Sequence, residues 1–79
     1  MESKYPLVLV TWEDHTGDAG WFTDESVGDL EHATATTIGW LVSKRGKSYK
    51  VADTLIDNGF GGVSVILKKT VTSIREITI

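Results

Sequence analysis

Thr34-Ala35-Thr36-Thr37-Ile38-Gly39-Trp40-Leu41-Val42-Ser43, then Lys44-Arg45-Gly46-Lys47-Ser48, then Tyr49-Lys50-Val51-Ala52-Asp53 read in succession as strand, turn and strand. Two runs rich in β-branched and aromatic residues flank a short basic segment that contains a glycine, which is the pattern of a β-hairpin. Alternation sets Thr36, Ile38, Trp40 and Val42 on one side of the first run and Thr37, Gly39 and Leu41 on the other. One of the two sides can feed a core, and Trp40, central in the hairpin, is expected there. A small, mostly β domain follows.

Working toward the N-terminus, Tyr5 to Glu13 predicts another strand, with apolar residues on both faces as a strand bent across a small barrel would need. Pro6 stands at its beginning, where a missing backbone donor matters little. Asp14-His15-Thr16-Gly17-Asp18-Ala19-Gly20 has the composition of a loop, and Trp21-Phe22 returns to apolar character. Thr23 to Leu30 suits one or two helical turns, with Thr23 as N-cap and Asp24 and Glu25 at the positive end of the dipole.

Toward the C-terminus, Asn58-Gly59 signals a turn, and Leu55 and Ile56 extend the strand before it or pack beneath that turn. Val63 to Leu67 is a fourth strand and Ser73 to Ile79 a fifth. Between them Lys68 to Thr72 fits a single 3₁₀ turn, with Val71 and Ile74 three apart and directed to the core.

At 79 residues the chain is one domain, of a size that buries only about 60–65% of its unfolded surface. It has no cysteine, so neither disulfides nor a thiolate metal site supplement the core. The stretch from Met1 to Pro6 leads into an apolar run too short for a signal peptide or a membrane span of roughly 20 residues, and a reducing cytoplasm is the expected location. The net charge of −3 is unevenly spread: residues 1–40 hold eight acids against Lys4, residues 41–79 seven bases against Asp53, Asp57 and Glu76. Separate acidic and basic poles would favour head-to-tail contact between copies or a polar partner.

Five short strands, a long loop after the first, a tight central hairpin and a one-turn helix before the last together resemble an SH3-like small barrel, a likeness that spans nearly the whole chain; an OB-type barrel shares much of it. Val10-Thr11-Trp12-Glu13-Asp14, Gly20-Trp21, Ile38-Gly39-Trp40-Leu41-Val42 and Val63-Ser64-Val65-Ile66, followed by Val71 and Ile74, are also similar to short proteins of tailed bacteriophages. Leu67-Lys68 stands where such proteins often place a proline after the isoleucine. The resemblance implies a phage accessory protein in the host cytoplasm and brings no established activity.

The polar candidates are few. Glu13-Asp14-His15-Thr16-Gly17-Asp18 gathers three carboxylates and an imidazole, but its spacing is not that of a calcium loop, and the other histidine, His32, is far along the chain. Asp14 and Asp18 suit paired-carboxylate hydrolysis only in composition, and Gly59-Phe60-Gly61-Gly62 lacks the lysine and helix of a phosphate loop. Lys44, Arg45, Lys47 and Lys50, with Tyr49 among them, form a basic hairpin tip of the kind that binds nucleic acid, against an acidic whole. Trp12 and Trp21 flank the acidic loop and are preferred interface residues; in SH3-like domains that loop commonly helps form an aromatic groove.

Binding without catalysis is the reading that follows, with no metal or cofactor and with assembly as a homo-oligomer. Its target is expected to be a host or defence protein, or a small signalling nucleotide held between subunits. The binding residues are Trp12, Asp14, His15, Trp21, Lys44, Arg45, Lys47 and Phe60. The alternatives are a nucleic-acid-binding barrel that uses the hairpin tip and a metal-dependent hydrolase that uses the acidic loop.

Overall fold

A computed structural model describes residues 4–14, 21, 23–28 and 33–78. The chain forms β1 (Leu7–Asp14), α1 (Asp24–Gly28), β2 (Ala33–Ser43), β3 (Ser48–Ile56), β4 (Gly59–Leu67), a 3₁₀ turn (Lys68–Thr70) and β5 (Val71–Glu76). All five strands join one antiparallel sheet in the order β4-β3-β2-β1-β5. The sheet is open: among the described residues no ladder joins β4 to β5.

Two glycines shape the hairpin of β2 and β3. Gly46 takes φ 71° at the tip, a left-handed conformation that costs glycine nothing, and the Ser43 hydroxyl accepts from the backbone N–H of Arg45 at 3.3 Å. Gly39 permits close approach of the strands: a Cβ there would lie 2.5 Å from the Ala52 carbonyl oxygen and 2.8 Å from Val51 Cγ1. A register shift between Leu41 and Ser43 adds further twist.

The core is small. Val8, Val10, Val51 and Ile66 form the buried cluster, and Trp12, Leu41, Val71 and Ile74 pack against it. Register explains the membership, because directly opposed residues of an antiparallel pair share a face. Val8 and Val10 of β1 oppose Gly39 and Thr37 of β2, while Leu7 opposes Trp40. The odd-numbered residues of β2 therefore look inward. Trp40, expected in the core, is instead half-buried on the opposite face. Val71 and Ile74 do reach the core, but both belong to β5, which begins at Val71 and not Ser73 and ends at Glu76, while the 3₁₀ turn stops at Thr70.

Other boundaries shift by a few residues. The turn between β3 and β4 sits at Asp57-Asn58, since Ile56 pairs with Gly59, one residue earlier than the Asn-Gly signal implied. Neither turn residue has a positive φ. β4 accordingly begins at Gly59, not Val63, and Leu55 and Ile56 lie in β3. In α1 the Thr23 hydroxyl accepts from the backbone N–H of Ser26 at 3.1 Å, while the Ser26 hydroxyl accepts from Thr23 N–H at 2.9 Å. This reciprocal bonding is the expected N-cap. No helix among the described residues is long and apolar enough to cross a membrane.

Candidate functional site

The sheet face turned away from the core is the largest unexplained feature. Register aligns Leu7, Trp40, Ala52 and Val63 in one row across β1, β2, β3 and β4. Alternation then adds Leu9 and Ile38, which oppose each other, and Val65, Leu67 and Ile56. Ile38 is 56% exposed, Val63 46% and Val65 63%. Leu67 and Ile56 are exposed too, and only Ala52, flanked by Trp40 and Val63, is fully covered. Lys50, opposite Val65, is the single charged residue that β3 and β4 contribute to this face. Large contiguous apolar surface rimmed by polar groups is characteristic of protein, membrane or ligand contact sites.

The residues expected to bind are dispersed around this face. Trp12 is half-buried, and its indole N–H donates to Thr37 Oγ1 at 3.0 Å. It also lines a groove of about 390 Å³ together with Glu13, Asp14, Val65, Ile66, Leu67, Lys69 and Thr70. Asp14 thus borders the same groove as Lys69 and Thr70 of the 3₁₀ turn, a juxtaposition not visible in the sequence. Trp21 lies fully in solvent, 101% exposed, and is not among the groove residues. His15 lies outside the described residues, as do residues 16–20 of the acidic loop. Among the described residues no group of three or more His, Cys, Asp or Glu is placed to hold a metal ion.

Phe60 is partly exposed and meets Tyr5 edge to face, with centroids 5.2 Å apart and planes at 77°. The pair belongs to a second groove at the β3–β4 turn, which Leu55, Asp57 and Asn58 also line. Lys4 Nζ stands 5.1 Å from the centre of the Tyr5 ring, a cation–π contact at an exposed site.

Lys44, Arg45 and Lys47 are exposed at the hairpin tip, as expected. The 3₁₀ turn joins them: Lys68 N–H donates to the Lys47 carbonyl at 2.9 Å, and Lys68 Nζ donates to the Lys44 carbonyl at 2.6 Å. The same ammonium stands 5.3 Å from the centre of the Tyr49 ring. Two basic runs more than 20 residues apart in sequence therefore form one basic end, with Lys69 beside them. The signal for this convergence was the pairing of Ser48 with Leu67, which a single sequence does not display.

No family model, curated protein or solved structure matches the chain.

Proposed function

We propose that the chain is a non-enzymatic binding module of SH3-like topology that acts by protein contact through the outer face of its sheet. The observation that carries this reading is the apolar row Leu7, Trp40, Ala52, Val63, extended by Ile38 and Val65. A sheet order of β4-β3-β2-β1-β5 with a 3₁₀ turn before the last strand supports the SH3-like part. The phage accessory role rests on the likeness of the segments alone, and a host or defence protein is the target class it implies.

The chemistry of the face favours protein over a signalling nucleotide or nucleic acid. Phosphates need cations and N–H donors, and β3 and β4 give this face only Lys50. The basic end at Lys44, Arg45, Lys47 and Lys68 is where the nucleic-acid alternative would act.

A photo-crosslinking residue placed at Val65, and separately at Glu25 on the exposed helix, distinguishes the readings in the producing cells. Protein adducts at position 65 and none at 25 are expected. Nucleic-acid adducts at 65, or protein adducts at 25 alone, would overturn the proposal.

A further inference from the structure

We infer that the edge of β4 away from β3, from Val63 to Leu67, pairs antiparallel with the same edge of a second copy about a twofold axis at Val65, joining two sheets into one. The pairing draws on backbone groups and is independent of the contact proposed for the outer face.

One hydrogen bond sets the direction of those groups. Lys68 N–H donates to the Lys47 carbonyl at 2.9 Å, and peptide groups alternate along an antiparallel strand. Ser64 and Ile66 therefore turn theirs toward Val51 and Tyr49 of β3. Val63, Val65 and Leu67 turn theirs outward, where no strand among the described residues follows β4 in the order β4-β3-β2-β1-β5. Of these outward groups the Leu67 carbonyl accepts from the Thr70 hydroxyl at 2.7 Å; the rest face the open edge.

Gly62 bounds the pairing segment. Its φ of 59° is left-handed, and the Asp53 carboxylate occupies the space that a Cβ there would need, so the regular edge begins at Val63. It ends at Leu67, where the 3₁₀ turn follows. Val63 to Leu67 holds neither charge nor proline, the usual means of keeping an edge unpaired. β5, the other edge of the sheet, is shorter and carries Arg75 and Glu76.

A second copy is the occupant that this segment fits. An antiparallel twofold centred on Val65 sets Val65 against its own copy and Val63 against Leu67 of the other, so all three outward-facing residues pair at once. Centring the axis on Ser64 or Ile66 leaves one of them out. About four interchain hydrogen bonds follow without calling on the Leu67 carbonyl, and the cross-strand pairs on the outer face are all apolar. Beyond the ladder the same register sets Lys68 of one copy opposite Gly62 of the other, where the Asp53 carboxylate lies. Opposite charges thus approach at both ends, which favours this register.

Sedimentation equilibrium and amide hydrogen exchange of the full chain test the pairing. The wild type is expected at twice the 8.7 kDa chain mass at high micromolar concentration. The Val65 and Leu67 amides should exchange at least about tenfold more slowly there than at low micromolar concentration, whereas those of Ser64 and Ile66, bonded within the chain, should be protected at both. Val65→Pro removes the central outward donor and leaves the β3–β4 ladder untouched; it should be monomeric with an unchanged circular dichroism spectrum. Val65→Thr keeps that donor and should remain a dimer. A monomeric wild type, or an assembly larger than a dimer, would overturn the inference. A dimer whose Val65 and Leu67 amides stay unprotected would move the contact from the edge to the face, overturning the pairing and leaving the outer-face reading in place.

Discussion

Gly39→Val is expected to unfold the chain or to lower its melting temperature by about 12–24 °C. The estimate takes an overpacking cost of up to about 3 kcal/mol and about 4–8 °C per kcal/mol for a domain this small. The obstacle is backbone: an added Cβ would stand 2.5 Å from the Ala52 carbonyl oxygen, with Val51 Cγ1 at 2.8 Å. A flexible side chain could yield, but a carbonyl in the ladder moves only with its strand. Since β2 lies in the middle of the order β4-β3-β2-β1-β5, separating it from β3 divides the sheet. Gly28→Ala is the control, because a Cβ at Gly28 meets nothing within 4 Å, and its melting temperature should match wild type or exceed it. Differential scanning calorimetry reads both, and a Gly39→Val chain as stable as Gly28→Ala would contradict the close approach of β2 and β3.

The second large effect belongs to Ile66. Its side chain, 1% exposed, comes from β4 to pack with Val8, Val10 and Val51, and truncation to alanine should destabilise by about 2–5 kcal/mol. Domains of this length have roughly 4–12 kcal/mol of stability in all, so a loss at the upper end removes about 40% of the stability of the most stable such domain and all of that of the least stable. Ser64→Ala, one alternation away and exposed, should stay within about 0.5 kcal/mol. Urea titration compares them: equal midpoints for the two variants would mean that β4 does not contribute to the core.

These two residues also mark what one sequence can and cannot convey. The hairpin at Lys44 to Ser48 was legible because turn residues and alternation are local signals. So was the Thr23 cap; a 3₁₀ turn does stand between β4 and β5, but at Lys68–Thr70, and the spacing of Val71 and Ile74 that suggested it belongs to β5. Which face of β2 looks inward was not legible. That choice is made by β1, whose Val8 and Val10 oppose Gly39 and Thr37, and it moves the largest side chain of the hairpin, Trp40, out of the core. A glycine and a threonine at inward positions leave room for β1 and β4 to supply the bulk.

The Asn58-Gly59 signal placed a turn correctly to within one residue. The pairing of Ile56 with Gly59 fixes it at Asp57-Asn58, and Gly59 is spent on the first position of β4. The apolar row from Leu7 to Val63 draws one residue from each of four strands, so no window of sequence contains it. The basic end was half visible at Lys44, Arg45 and Lys47; its other half, Lys68 and Lys69, arrives only through the β3–β4 register. Of the residues expected to bind, Trp12 and Asp14 share a groove, while Trp21 and Phe60 stand apart from it.

Methyl-methyl nuclear Overhauser effects in a valine- and isoleucine-labelled chain test the two-faced sheet most directly. Contacts linking the methyls of Ile66 with those of Val10 and Val51 are expected within one chain, with none from Val63 or Val65 to Val8 or Val10. Intrachain contacts from Val65 to Val10 would show that the apolar outer face belongs to the core, and the binding surface proposed for it would not exist.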